Sequence, residues 1–235
     1  MPISEPVASA LQQRVSSRVA EVRDRMSAAV ARGGHGQSVT LVAVTKTHGP
    51  EIVEAVWQAG VTDVGENRVQ EAEAKMALVS APVRWHLIGH LQRNKAKAAL
   101  NFALVHGVDS DRLAEALNSA AAAAGTTLDI LVQVNISGED TKSGLSLADV
   151  PALADRLHHC QALRVMGAMT MAPFEAAESE LRQVFAGARD ARTQLQAAGH
   201  AAPWLSMGMS GDYEIGIEEG ATHVRVGSAL FGDRG

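Results

Sequence analysis

The 235-residue sequence is poor in several residue types on which whole classes of protein depend. It has one cysteine, Cys160, so it can form no intramolecular disulfide and no zinc site built on several cysteines. Aromatic residues make up only 3% of the chain, too few for a platform that stacks the bases of single-stranded nucleic acid. With 21 Lys and Arg against 26 Asp and Glu, the chain lacks the basic surface that attracts nucleic acids and anionic membranes. We therefore expect small-molecule partners, with no nucleic acid and no membrane among them.

Segments that would direct the chain to or across a membrane are also missing. No apolar run approaches the roughly 18 residues that a membrane-spanning helix needs. The first residues lack the basic start and continuous apolar stretch of a secretion signal. Together with the single cysteine, which suits a reducing compartment, these features predict a cytoplasmic protein.

The chain begins with a pattern that predicts an amphipathic helix over about residues 5–32. Apolar residues recur there at spacings of three and four, from Val7 to Val30, and glycines at 33, 34 and 36 end the helix. Beyond it, short β-branched runs alternate with helical patterns. The predicted strands lie near 40–46, 62–66, 83–88, 102–106, 129–135, 163–168, 203–207 and 223–227. The helical segments between them lie near 50–60, 67–79, 92–100, 111–124, 149–160, 175–198 and 213–220.

Eight strands alternating with helices predict a parallel (β/α)8 TIM barrel over about residues 39–232, with the N-terminal helix as an addition. A doubly wound open sheet is the alternative architecture. No G-x-G-x-x-G fingerprint follows the first strand, which favours the barrel. Since no Pro-rich, Ser-rich or charged linker divides the chain, we interpret residues 1–235 as a single domain.

The most informative polar residue is Lys46, at the end of the first predicted strand. A TIM barrel builds its active site at the carboxyl ends of its strands, where burial lowers the pKa of a lysine. The resulting amine is a nucleophile that can form a Schiff base. The alternatives are a lysine whose charged end reaches solvent at the rim, or an ion pair with Glu66 at the end of the second strand.

Glycines and serines follow strands seven and eight, whose loops most often bind phosphate in this architecture. The first loop reads MGMSGD (207–212), and the second contains Gly227 and Ser228. Glycine lets backbone N–H groups approach an anion closely, and a short helix from Ser228 would direct its positive end at it. Ordinary strand-to-helix turns are the alternative. Combined with Lys46, a phosphate site suggests an aldehyde that carries a phosphate group.

Arg225 ends strand eight, beside the same loops. It could bind the phosphate, hold a carboxylate, donate a hydrogen bond to a ring nitrogen or form a structural salt bridge.

Six segments together resemble the family of pyridoxal 5′-phosphate (PLP) homeostasis proteins. They are VAVTKTH (42–48), GENRVQE (65–71), WHLIGHLQRNK (85–95), GLS (144–146), MGAMTMAP (166–173) and LSMGMSGDYEIGIEEGATHVRVGSALFG (205–232). The resemblance covers nearly the whole chain, and GENRVQE and SMGMSGD are specific to this family. It implies a barrel similar to the N-terminal domain of bacterial alanine racemase, with PLP held as a Schiff base.

The resemblance also implies a set of cofactor-binding residues, each at a position that matches a family motif. They are Lys46, Asn67, Met209, Ser210, Arg225, Gly227 and Ser228. Lys46 would bond PLP covalently, the two serines and Gly227 would hold its phosphate, and Arg225 would face the pyridine nitrogen. Asn67 and Met209 would line the ring pocket. His90 stands where the family often has Pro, Thr or Ser, and we assign it no role.

These features favour binding over catalysis. An arginine at the ring nitrogen leaves the pyridine largely unprotonated, which makes PLP a poorer electron sink. Alanine racemase also uses a tyrosine from a second domain as a second base, and a barrel that takes up the whole chain leaves no room for that domain. The single tyrosine, Tyr213, comes just after the phosphate loop, at the wrong end of the cofactor for this role.

We therefore expect a PLP-binding carrier or buffer in intracellular PLP homeostasis, without efficient catalysis. It would be a monomer or weak homodimer, with PLP-dependent apoenzymes as further partners. The alternative is a PLP-dependent amino-acid racemase of low efficiency. A barrel aldolase that uses Lys46 on a sugar phosphate is a third hypothesis.

The remaining polar motifs predict no further chemistry. His86 and His90 are four residues apart, but Leu87 stands where a zinc protease has Glu, so we predict no metal site. Basic residues at 93, 95 and 97 indicate a solvated helix face, and methionines at 166, 169 and 171 indicate core and pocket packing.

Overall fold

Eight parallel strands close into a barrel in the computed structural model, which describes residues 5–139 and 143–232. The strands are β1 (Thr40–Val44), β2 (Asp63–Glu66), β3 (Arg84–Leu87), β4 (Leu104–Val108), β5 (Leu128–Gln133), β6 (Leu163–Met169), β7 (Trp204–Met209) and β8 (His223–Val226). Each strand pairs with the next along the chain, and β8 returns to pair with β1, where Val42 lies opposite Arg225. The predicted (β/α)8 barrel is confirmed, and the open-sheet alternative is wrong because β1 and β8 close the ring.

The helices lie outside the strands. They are α1 (Glu5–Gly33), α2 (Pro50–Gln58), α3 (Val69–Met76), α4 (Asp111–Ala123), α5 (Val150–Leu157), α6 (Glu178–Ala197), α7 (Tyr213–Glu218) and α8 (Ser228–Phe231). The predicted N-terminal helix is therefore present as α1. None of the helices within the described ranges has the length and apolar character that a bilayer crossing requires.

One predicted helix, over residues 92–100, forms two 3₁₀ turns instead, Arg93–Lys95 and Ala98–Asn101. The buried residues Ala96, Ala99 and Phe102 recur every three positions there. A 3₁₀ helix has three residues per turn, so these three side chains lie in one row on its buried side. An α-helix, with about 3.6 residues per turn, would not keep them in line.

Alternation along the strands sends one set of side chains outward to the helices and the other set into the barrel. The outward set, with residues such as Val64 and Val224, joins the helices in the main apolar core. Inside the barrel, Leu104, Leu131 and Met169 form a second and much smaller apolar cluster. The barrel interior therefore has room for polar side chains, which are described below.

The long helix α1 packs across α2, α7 and α8. Val15, Val19 and Met26 belong to its buried stripe, and each buried side chain of this size stabilises the fold by about 1.5–3 kcal/mol. Gly33 ends the helix, and a Cβ added there would lie 2.7 Å from the Cα of Glu218 in α7. A residue with a side chain at position 33 would push α1 away from α7.

Candidate functional site

A cavity of about 820 Å³ opens at the carboxyl ends of the strands. All seven residues that the sequence analysis singled out line it: Lys46, Asn67, Met209, Ser210, Arg225, Gly227 and Ser228. They come from the ends of β1, β2, β7 and β8, which the closed barrel brings together. The cavity volume falls within the range of about 300–1,000 Å³ typical of small-molecule sites.

Lys46 lies two residues beyond the end of β1 and is half-buried at the cavity wall. Its two neighbours in the chain are held from the side of α3. The carbonyl oxygen of Thr45 accepts a hydrogen bond of 2.6 Å from the Nζ atom of Lys75, and the N–H of Thr47 donates to Glu71. Thr47 has a φ of 67°, a left-handed conformation that is uncommon for threonine. These contacts hold the backbone on both sides of Lys46.

Glu66 belongs to the same cluster behind Lys46. Its Oε1 atom accepts hydrogen bonds from the Thr45 hydroxyl at 2.6 Å and from the Lys75 ammonium at 2.7 Å. Burial raises the pKa of Glu66, and these two hydrogen bonds only partly offset that effect. The sequence left open an ion pair between this carboxylate and Lys46, and the structure shows Lys75 bonded to it. Lys75 was missed in the sequence because it projects from α3 and carries no strand-end signal.

The loop after β7 and the start of α8 meet at Ser210. Its Oγ atom accepts hydrogen bonds from the backbone N–H groups of Gly227, at 3.0 Å, and Ala229, at 3.3 Å. The loop is closed by Asp212, whose carboxylate accepts the N–H of Met209 at 2.5 Å. Two backbone donors therefore point at one spot beside the cavity, an arrangement that suits a small anion.

Arg225 projects from β8 into the barrel and is almost fully buried, with 3% of its surface exposed. Its Nη1 atom donates to the Ser206 hydroxyl at 2.5 Å, and its Nη2 atom donates to the carbonyl oxygen of Thr170 at 2.8 Å. Burial lowers the pKa of Arg225 to about 10, against an opposing effect of Asp212, so the guanidinium stays charged at neutral pH. Because Arg225 also lines the cavity and keeps further N–H groups, it can hold an acceptor atom of a ligand there.

Asn67 lies at the cavity wall, with its backbone packed against Gly89. A Cβ added to Gly89 would collide with the backbone of Asn67, so only glycine allows this close approach. His90 follows Gly89, also lines the cavity and lies 3.9 Å from a carboxylate oxygen of Asp109.

Sequence reasoning also missed most of the segment after β6. Met171, Pro173, Phe174 and Glu175 line the cavity, and the Phe174 side chain is the most exposed large apolar one described, at 90%. Met171 fits the predicted pocket packing. The single tyrosine, Tyr213, is buried beneath the guanidinium of Arg25 and is not among the residues that line the cavity.

The barrel belongs to a known class. A family model described as the alanine racemase N-terminal domain matches residues 19–235. At the level of fold alone, alanine racemase from Corynebacterium glutamicum is similar, with 14% identity and a TM-score of 0.71. That similarity covers 94% of this chain and 60% of the racemase.

Sequence relatives narrow this class to one family. The pyridoxal phosphate homeostasis protein of Pseudomonas aeruginosa is 39% identical over 228 residues, which is 96% of each chain. The structure of PipY from Synechococcus elongatus PCC7942 with PLP bound has a TM-score of 0.83 and 35% identity, and covers 93% of this chain and 100% of PipY. The chain therefore belongs to the pyridoxal phosphate homeostasis protein family, as the resemblance of its motifs predicted.

Proposed function

We propose that this chain binds PLP in the barrel cavity through Lys46 and acts in intracellular PLP homeostasis as a carrier or buffer. The observation that carries the proposal is a strand-end lysine, a buried arginine and two converging backbone donors around one cavity. Membership of a family named for PLP homeostasis, and a PLP-bound relative, support it.

The residues around the cavity fit the chemical groups of PLP. When bound, PLP supplies an aldehyde that condenses with a primary amine and a pyridine ring that withdraws electrons. Lys46 would provide the amine, because its flanking backbone is fixed by hydrogen bonds and its side chain lines the cavity. Ser210, Gly227 and Ser228 would hold the phosphate, because backbone N–H groups of this loop already converge on the Ser210 hydroxyl.

The ring would lie between these two ends. Arg225 would donate a hydrogen bond to the ring nitrogen, since it lines the cavity and stays charged at neutral pH although burial lowers its pKa to about 10. Asn67 and Met209 would contact the faces or edges of the ring.

Two features support binding without efficient turnover. A charged guanidinium at the ring nitrogen disfavours protonation of that nitrogen and so weakens the ring as an electron sink. Tyr213, the residue type that serves alanine racemase as second base, is buried under Arg25 and away from the cavity lining. A carrier needs only the covalent bond and its reversal, and both use the amine of Lys46.

The proposal is tested by the absorbance of protein loaded with PLP. We expect a visible band from the covalent lysine linkage in the wild type and in Lys97→Ala, a control at an exposed lysine. The band should be lost in Lys46→Ala. A band that survives in Lys46→Ala would refute the assignment of Lys46. Catalytic exchange of the Cα hydrogen of added amino acids in deuterated water would instead favour the weak racemase.

Partners and location belong to the same proposal. We propose that PLP-dependent apoenzymes receive the cofactor and that the protein works in the cytoplasm as a monomer or weak homodimer. Activation of a PLP-free apoenzyme by the loaded protein, at a rate above that of PLP dissociating from it, would support direct transfer.

A further inference from the structure

A chain of polar side chains crosses the inside of the barrel and ends at Arg225. Its members come from five strands and are all buried: Asp63, His86, His106, Ser206 and Arg225. We call this chain the interior relay. The interior of a TIM barrel is ordinarily filled with branched apolar side chains, so a continuous polar chain at this place calls for an explanation.

The members of the interior relay lie within hydrogen-bond distance of one another at every link. A carboxylate oxygen of Asp63 lies 2.8 Å from Nε2 of His86, and Nδ1 of His86 lies 2.9 Å from Nε2 of His106. Nδ1 of His106 lies 2.9 Å from the Ser206 hydroxyl, which accepts the bond of 2.5 Å from Arg225. The relay therefore connects Asp63 to the cavity without a gap.

The chemistry of its members sets the direction of these bonds. A carboxylate only accepts, so His86 carries its proton on Nε2 and, when neutral, accepts at Nδ1. His106 must then donate from Nε2 and accept at Nδ1, so the Ser206 hydroxyl donates to His106. Ser206 in turn presents only lone pairs to Arg225. Every donor in the relay points away from Arg225 and toward Asp63.

The charges around the relay favour this direction. Burial lowers the pKa of His106 well below its ordinary value, and the nearby His86, Arg225 and His223 lower it further, so His106 is neutral. Burial would raise the pKa of Asp63, but hydrogen bonds from His86, Arg84 and Thr62 outweigh it and keep the carboxylate charged.

The reverse direction would require a doubly protonated His86. Ser206 would then receive hydrogen bonds from both His106 and Arg225, and its own proton would have no acceptor within the described part of the chain. The forward direction satisfies every member of the relay.

We propose that the interior relay positions and polarises Arg225 as the hydrogen-bond donor at the ring-nitrogen end of the cavity, with His106 as the central positioning residue. This inference rests on the proposed binding of PLP. The relay stabilises the buried guanidinium through a distant carboxylate, because polarised hydrogen bonds strengthen one another in a low dielectric. It transmits polarisation and not protons, since a guanidinium does not release its proton at neutral pH.

The first test uses the protein without PLP. Nitrogen-15 NMR of labelled histidines reports the tautomer of each ring, and we expect both His86 and His106 to be protonated on Nε2 alone. A His106 ring protonated on Nδ1 would overturn the proposal, because Ser206 would then be an acceptor on both sides.

The second test follows the ring nitrogen of nitrogen-15-labelled PLP in the loaded protein. In His106→Leu, Ser206 loses its acceptor, so Arg225 should bind the ring nitrogen less well and the pKa of that nitrogen should rise by about one unit, a tenfold change in its proton affinity. His106→Gln, which keeps a donor and an acceptor, should restore part of the difference. Asp63→Asn serves as a second variant at the far end of the relay, with a smaller change in the same direction.

His223→Gln is the matched control. His223 is also buried in the barrel, with its ring centre 6.3 Å from that of His106, but its Nδ1 pairs with Thr222 outside the relay. The control should leave the ring nitrogen unchanged. An unchanged ring-nitrogen pKa in both His106→Leu and Asp63→Asn, with the covalent absorbance band intact, would overturn the relay alone. Absence of the covalent absorbance band from the wild type loaded with PLP would instead refute the proposed function.

Discussion

Removal of the Lys75 ammonium is the sharpest test of the buried cluster behind Lys46. Lys75 is 5% exposed and bonds the carbonyl oxygen of Thr45 and the carboxylates of Glu66 and Glu71. Lys75→Met keeps most of the side-chain volume and removes the charge. It leaves Glu66 buried with a hydrogen bond from Thr45 alone, and its Oε2 atom already has no partner.

The expected loss follows from the cost of an uncompensated buried charge. Breaking a buried ion pair from one side costs about 3–5 kcal/mol, whereas replacing both partners by apolar residues is often close to neutral. We therefore expect Lys75→Met to lower the free energy of unfolding by about 3 kcal/mol or more. Glu66→Leu combined with Lys75→Met should recover at least 1–2 kcal/mol of that loss, although the Thr45 hydroxyl then lacks its acceptor.

Urea unfolding at pH 7.5 measures these differences without the screening that guanidinium chloride adds. The exposed pair Arg18 and Glu21 in α1, with both side chains 55% exposed, is the matched control. Its disruption by Arg18→Met should cost less than about 0.5 kcal/mol. A loss below 1 kcal/mol in Lys75→Met, or strictly additive losses in the double variant, would refute the role given to this cluster.

Two further predictions concern a buried histidine and a close backbone contact. Burial lowers the pKa of His223 to about 3 from an unfolded value near 6.5, so the unfolded chain takes up the proton first and stability falls as the pH drops below 6.5. Between pH 7.5 and pH 5 this one group should remove about 2 kcal/mol from the wild type, so the loss that urea unfolding measures over this range should be about 2 kcal/mol smaller in His223→Gln. Gly89→Ala should cost about 1–3 kcal/mol because its Cβ collides with the backbone of Asn67, while Gly211→Ala, with nothing within 4 Å, should change the stability by less than about 0.5 kcal/mol. Equal losses in the two glycine variants would contradict the close contact at Gly89.

The strands and the cavity could be predicted from sequence because both depend on local pattern and on one rule of architecture. Buried parallel strands appear as short β-branched runs, and the closure of the barrel brings their carboxyl ends together. Lys46 lies two residues beyond β1 and Arg225 lies within β8 near its carboxyl end, so the rule of architecture alone places both at one cavity.

The network partners could not be predicted in the same way. Lys75 reaches Glu66 because α3 packs against the outside of β2. Residue spacing does not show which face of α3 is turned toward that strand. His86 and His106 meet because both point into the barrel from adjacent strands, and a histidine at such a position carries no sequence signal of its direction. The 3₁₀ turns after β3 were missed because a three-residue and a four-residue apolar period look alike over two turns.

The hydrogen bonds at Ser210 bear on how strongly the proposed phosphate could be held. The N–H groups of Gly227 and Ala229 are already oriented toward a single oxygen atom. An arriving anion would replace the Ser210 hydroxyl as their acceptor and would not have to order a mobile loop. Folding has already fixed the orientation of these two N–H groups, so binding of the phosphate would lose less conformational entropy. Release of the cofactor would be eased by the same exchange, because the hydroxyl can return as each oxygen of the phosphate departs.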